Sequence, residues 1–334
     1  MEAHSPMPSP EKIFQTLSAY QQTAALKAAI DLSLFTAIAE GCHSVSQIAG
    51  RCAASERGIR ILCDYLTILG FLTKCETEYG LSPEATLFLN QHSPAYLGGT
   101  IGFMLSPFIV RGYDDMAETV RRGQSAHNSV APEHPIWVDF ARHMAPMMRP
   151  LSMLMAGFLE LGSRPAKILD IAAGHGLFGI ACAERAPGAT IVAVDWPQVL
   201  AVAQENARAA GVIDRYEIRP GSAFDVDFGE GYDVVLLTNF LHHFDEPTNI
   251  TLLKKVRAAL APGGRAFTLE FVPNPDRVSP PQAAAFSLQM LNSTPAGDAY
   301  TFAQLSAMCA AAGFAKSELH SFAPMMNSLV ISYT

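Results

Sequence analysis

The second half of the chain carries five short apolar runs rich in β-branched residues, KILDIAA, TIVAVD, RYEIRPG, YDVVLLTN and RAFTLEFV, with helical stretches between them. Strands apolar on both faces suit a parallel sheet covered by helices on each side. Right-handed crossovers then align the carboxyl ends of the strands, and any ligand site, along one edge. The chain closes with FAKSELHSFAPMMNSLVISY, which reads as two strands joined by a loop. The last strands of a plain dinucleotide domain normally run parallel, so a closing hairpin sets this sheet apart. The expectation is an α/β fold with a doubly covered sheet over residues 166–334.

A chain of 334 residues has room for a second domain with its own core. Leu26, Ala29, Ile30, Leu34, Ile38 and Ala39 recur at helical spacing, and Ser44 and Ser55 suit the N-caps of the next two helices. FLTKCETEYGLS then alternates around a turn as a hairpin does. Helix, helix, helix, hairpin is the order of a winged helix-turn-helix over residues 1–100. Such a unit binds DNA or serves as a scaffold. Its candidate recognition helix, Ser55–Gly70, sets Arg57 and Arg60 against Glu56 and Asp64, and a net charge of −8 disfavours nucleic acid and anionic membranes. Dimerisation is the favoured role, because the apolar stripes exceed what so small a unit can bury alone.

Residues 101–165 read as connecting helices, rich in methionine: Met104, Met144, Met147, Met148, Met153 and Met155. Methionines at this density serve adaptable core packing or the wall of a pocket for a flat apolar ligand. Phe140, Met144, Phe286 and Met290 are the candidate pocket residues. MEAHSPMPSP lacks the basic start and apolar core of a secretory signal, and the six cysteines form no C-x-x-C pair. A cytoplasmic protein with reduced thiols is the expectation.

LDIAAGHGLFG runs from the first strand into Gly174, Gly176 and Gly179. Glycines there allow close backbone approach to a ligand, with a helix N-terminus behind them. Alone, G-x-G-x-x-G also describes a bare strand–helix turn. Asp195, ending the second strand, can accept both hydroxyls of a ribose, which fits NAD and S-adenosylmethionine (SAM) equally. Three features favour SAM. Asp170 at the tip of the first strand would repel a pyrophosphate but not the cationic amino group of SAM. Gly221, Ser222, Ala223 and Phe224 can flank an adenine. TNFLHHFDE delivers His242 and His243 to the carboxyl edge of the sheet.

With these motifs the chain resembles the class I SAM-dependent O-methyltransferases that act on plant phenylpropanoids and on bacterial polyketide or phenazine metabolites. The resemblance covers nearly the whole chain, including ALKAAIDLSLFTAIAEG, SERGIRILCDYLTILGFL and YGLSPEATLFL of the N-terminal domain. It implies a seven-stranded Rossmann-like sheet and a homodimer through the N-terminal domain. SAM would be the cofactor, leaving S-adenosylhomocysteine (SAH), and the acceptor a small molecule. The family's D-x-G-G-G-x-G loop stands here as Asp170-Ile-Ala-Ala-Gly174-His-Gly176, with Ala172 and Ala173 in place of two glycines. The resemblance assigns the cofactor to Asp170, Gly174, His175, Gly176, Asp195, Trp196, Gly221, Ser222, Ala223, Phe224 and Asn239, and adds Asn327 to the acceptor pocket. It puts the catalytic base at His242 and one supporting glutamate at Glu270. The second supporting position is Ala299, with Asp298 beside it as a candidate replacement.

On this reading His242 takes the proton of the acceptor hydroxyl while Glu270 orients it; otherwise His242 only ends the fourth strand. His243 reads as structural. No His/Cys/Asp/Glu spacing resembles a metal site. Two alternatives stay open: a SAM enzyme of this fold that methylates carbon or nitrogen or runs a different reaction, and, more distantly, a winged-helix DNA-binding regulator.

Overall fold

The computed structural model describes residues 8–161 and 164–334, which separate into two compact units meeting in sequence at Ile101 and Gly102. No helix among the described residues is long and apolar enough to cross a membrane.

The N-terminal unit comprises α1 (Glu11–Asp31), α2 (Leu34–Ala39), α3 (Val45–Arg51) and α4 (Glu56–Ile68). The antiparallel pair β1 (Leu72–Cys75) and β2 (Glu78–Leu81) and then α5 (Pro83–Phe88) complete it. Both predicted caps are present. Ser44 and Gln47 form a reciprocal capping box, and the Ser55 side chain accepts from the Gly58 N–H. Ile59, Cys63 and Leu66, spaced along one face of α4, pack on Leu34, Phe35 and Ile38. Only the end of α1 joins this core, through Ala29 and Ile30. Its earlier turns leave Ile13, Phe14, Leu17 and Tyr20 exposed by 62%, 64%, 67% and 70%.

From α6 (Ile101–Met104), whose first residue closes the first unit, α7 (Pro107–Arg111), α8 (Met116–Arg122), α9 (Ile136–His143) and α10 (Ala145–Ala156) lead into the sheet of the second. Its strands are β3 (Ala166–Ile171), β4 (Ala189–Asp195), β5 (Tyr216–Pro220), β6 (Tyr232–Thr238), β7 (Leu260–Glu270), β8 (Lys316–Ser321) and β9 (Ser328–Tyr333). They lie in the order β5-β4-β3-β6-β7-β9-β8, with β9 antiparallel to both its neighbours and the other pairs parallel. Helices α11 (Leu177–Arg185), α12 (Pro197–Ala209), α13 (Glu246–Ala259), α14 (Pro281–Ser293) and α15 (Phe302–Ala311) follow the strands.

The five apolar runs are five of these strands, and the closing hairpin is β8–β9. One face of the sheet packs Ile168, Ile191 and Phe267 against Ile180 of α11 and Met155 of α10. The other packs Leu169, Val192 and Val235 against Leu252 of α13 and Leu305 of α15. The chain builds outward from β3 to β5, then returns to β6 on the other side of β3. That reversal opens a crevice at the carboxyl ends of β3, β4 and β6.

Candidate active site

A cavity of about 950 Å³ occupies this crevice. At one end lies the turn after β3. Ala172 and Gly174 line the cavity, and both hold left-handed backbone angles, φ 53° and 57°. At Ala172 that conformation places an L-residue where glycine is favoured. Gly176, at φ 76°, lies beneath the turn, where a Cβ would come within 2.7 Å of the Tyr216 hydroxyl. At Gly179 a Cβ would meet Asp170 and Ile191, both at 2.8 Å, so this glycine serves close packing of helix on strand.

Asp170 departs from its expected place. Its side chain is fully buried beneath the turn, away from the residues lining the cavity; one oxygen accepts the Gly179 N–H at 3.1 Å and the other has no partner among the described residues. The contact expected with a cationic amino group is therefore not made from this position. The reason is register: Asp170 pairs with Ala193, two positions inside Asp195, so its short side chain lies under the loop and meets the helix backbone at Gly179. Burial pushes the Asp170 carboxyl up to about 7, opposed by the Gly179 hydrogen bond and reinforced by Asp195. Between the ordinary carboxylate value and pH 7 the unfolded chain releases a proton that the folded state keeps, so stability falls as pH rises through this window. Asp170→Asn removes that term. In thermal melts the variant's Tm relative to the parent protein is expected to increase from pH 5 to pH 8.

His175 is likewise buried outside the cavity lining. Its Nδ1 accepts the Leu177 N–H at 3.1 Å, and its ring stacks 5.9 Å from Phe140, which does line the cavity. Burial pushes its pKa down to about 4, as a ring nitrogen accepting from an amide requires. The N–H groups of Gly174, Leu177 and Gly179 thus already serve Asp195, His175 and Asp170.

The tip of β4 supplies Asp195, whose carboxylate accepts the Gly174 N–H at 2.8 Å and the Trp196 N–H at 2.7 Å. Two bonds leave lone pairs for a ligand's hydroxyls. Burial pushes this group up to about 6, with both backbone bonds holding it lower than burial alone would. Trp196, Gly221, Ser222, Ala223 and Phe224 line the same end. Lys255 on α13, which the sequence did not single out, fixes that segment by donating to the Ala223 and Phe224 carbonyls at 2.9 and 3.1 Å.

Asp195 and Asp225 are the charged side chains among the lining residues, and no lysine or arginine is among them. With the Gly174, Leu177 and Gly179 amides taken, a pyrophosphate would meet no cation and would face the Asp195 carboxylate. A sulfonium or ammonium ion meets acids. The residues present therefore fit SAM and not a dinucleotide.

The cavity is also lined by two histidines. Following β6, His242 and His243 lie in a 3-10 turn. His242 Nδ1 bonds the Glu270 carboxylate at 2.6 Å, and the other Glu270 oxygen accepts the backbone N–H groups of Phe240 and His242 at 3.0 and 3.3 Å. A carboxylate only accepts, so Nδ1 carries the proton and Nε2 offers its lone pair. This is a histidine arranged to take a proton. Glu270 itself stands behind it, at the end of β7, and is 2% exposed.

Asp298 is not the missing second carboxylate. Its side chain binds Arg277 at 2.8 Å and its own neighbour's N–H, and only its backbone N–H reaches the His242 carbonyl, at 3.0 Å. Ala299 is fully buried in a cluster with Phe271 and Phe286, which stack 3.7 Å apart. Apolar packing fills that place, and an ion there would have lost its hydration.

Phe140, Met144, Phe286 and Met290 line the cavity, as does Asn239, held at φ 53°. Asn327 stands one layer back and donates to the Asn239 side chain at 2.9 Å. Met147 and Met148 serve the pocket, while Met155 lies in the core. Trp137 and Phe103 also line it, unforeseen. Trp137 shares the helical spacing of Phe140 and Met144, the signal that marks it.

Residues 153–315 match the O-methyltransferase domain and residues 14–91 the O-methyltransferase dimerisation domain. A solved structure from Nostoc punctiforme, described as a candidate O-methyltransferase, is 49% identical, covers 98% of this chain and 100% of its own, and superposes with a TM-score of 0.96. The 3-hydroxy-5-methyl-1-naphthoate 3-O-methyltransferase of Streptomyces sahachiroi is 28% identical over 279 residues, 82% of this chain and 80% of its own. Human N-acetylserotonin methyltransferase, crystallised with SAM, has the same fold, with a TM-score of 0.83 at 20% identity over 100% of this chain and 99% of its own.

Proposed function

Since the chain belongs to the O-methyltransferase family, joining that family's dimerisation and SAM-dependent catalytic domains, we propose that it methylates a hydroxyl of a small aromatic or polyketide-like molecule, with His242 as general base. The observation that carries this reading is the His242–Glu270 pair on the wall of the cavity that Gly174 and Asp195 also line.

SAM, when bound, supplies a methyl group already activated on a sulfonium centre. Asp195 would hold the ribose, and Gly221–Phe224 would flank the adenine. His242 Nε2 takes the acceptor's proton, and the Glu270 carboxylate stabilises the imidazolium that results. Phe140, Met144, Phe286 and Met290 exclude water and hold a flat ring in place for transfer. Incubation with SAM and a panel of phenols, hydroxyquinones and polyketides, read by mass spectrometry, tests this. A methyl-sized mass gain on oxygen is the expected result; a gain on carbon or nitrogen moves the protein to the alternative chemistry.

The exposed stripe Ile13, Phe14, Leu17 and Tyr20 is the surface through which a second copy would bind, since it opens the span that matches the dimerisation domain. Leu17→Glu puts a charge in its centre. Sedimentation equilibrium is expected to give a dimer for the parent protein and a shift toward monomer for the variant.

A further inference from the structure

Beside His242 stands a second imidazole that proton removal does not use. His243 lines the cavity and is 8% exposed, with its ring 4.2 Å from that of His242 and 5.0 Å from Trp137. Its Nδ1 is sealed in without a hydrogen-bond partner among the described residues. Burial, with His242 adding to it, holds its pKa well below the ordinary histidine value, so the ring is neutral. A neutral imidazole has one N–H. A buried N–H without a partner is rarer and more costly than a bare lone pair. The proton therefore belongs on Nε2, where a ligand can meet it. Keeping this ring neutral also lets His242 become positive without a like charge beside it.

The second observation is the charge of the cavity. No lysine or arginine lines it, and Trp137, Phe240, Phe271 and Phe286 surround the two histidines. A carboxylate on the acceptor would lose its hydration there and gain no counter-ion. An uncharged oxygen needs only a donor.

Resting on the reading that His242 deprotonates the acceptor, we propose that His243 determines specificity by donating a hydrogen bond to a second, uncharged oxygen ortho or peri to the reacting hydroxyl of an aromatic acceptor. Two neighbouring oxygens on one ring system face two neighbouring imidazoles. His242 meets the oxygen that is methylated and His243 the one that is not.

The test compares 1,8-dihydroxynaphthalene, its 1,5-isomer and 1-hydroxy-2-naphthoate, on the parent protein and on His243→Phe and His243→Gln. Two quantities are read: kcat/KM with SAM, and the Kd of each compound for SAH-saturated protein from quenching of tryptophan fluorescence, since Trp137 lines the cavity. The parent protein is expected to favour the 1,8-isomer over the 1,5-isomer by about tenfold, the scale of one hydrogen bond, and to bind the carboxylate more weakly than the 1,8-isomer. His243→Phe should bring the isomer ratio close to one, and His243→Gln, which keeps a donor, should retain part of it. An equal isomer ratio in all three proteins, or a carboxylate bound as tightly as the 1,8-diol, would overturn the proposal. Methylation of neither isomer, with a binding preference that still depends on His243, would sink the transfer reading and leave this one standing.

Discussion

His242→Ala is expected to lower kcat by about 10²–10⁴-fold, the usual contribution of a positioned general base, while SAM binds as before. The separation follows from the geometry. His242 stands on the β6–β7 side of the crevice with Glu270, whereas all but Asn239 of the residues expected to hold the cofactor lie at or after the ends of β3, β4 and β5. Glu270→Gln should fall between the parent and His242→Ala. It can still receive the Nδ1 proton through its amide oxygen, but it brings no charge to stabilise the imidazolium, and its amide cannot serve Phe240 and His242 as the carboxylate does. Single-turnover rates with SAM in excess, beside SAM binding by calorimetry, separate the two effects. An undiminished turnover rate in the His242 variant would remove the general-base role and leave the fold and the cofactor site intact.

Asp195→Ala should act on the other side of the crevice. This carboxylate is both the expected partner of the ribose and the group that holds the Gly174 and Trp196 N–H groups in place. Hydrogen bonds to a charged group contribute about 1.5–3 kcal/mol each, so a loss of SAM affinity on the order of 10–100-fold is expected. The same residue gives the site a pH dependence. With its pKa raised to about 6 by burial, Asp195 is ionised at neutral pH and becomes protonated as pH falls through 6. Protonation leaves one oxygen carrying a hydrogen and weakens both backbone contacts, so SAM affinity should decline below about pH 6. In Asp195→Asn that decline should be absent and the affinity uniformly low. Calorimetric Kd values between pH 5 and 8 check both statements.

Much of this architecture was legible in the chain. Strand periodicity located five strands and the closing hairpin, and serine caps located α3 and α4. The position of Asp195 at the end of an apolar run placed it on the cavity without further information. Asp170 shows where such reasoning stops. Its place at a strand tip was as clear as that of Asp195, yet one carboxylate lines the cavity and the other lies beneath the turn. Strand alternation gives these two acids the same face, but Asp170 pairs with Ala193, two positions inside Asp195, and so lies deeper in the sheet. Asp298 makes the same point, since Arg277, distant in sequence, captures its side chain.

Sequence alone determined what local pattern controls: the order of elements, the caps, the glycine turn and the residue types offered at the strand ends. Those depend on neighbours three or four positions away, or on alternation along a strand. Only tertiary structure decided which of the offered groups meet. It set Lys255 under the Ala223–Phe224 carbonyls and filled the Ala299 site with aromatic rings, whereas the pairing of His242 with Glu270 was already implied by the family resemblance. It also sealed Nδ1 of His243. Burial and side-chain direction depend on contacts between segments far apart in the chain, and local spacing does not encode them.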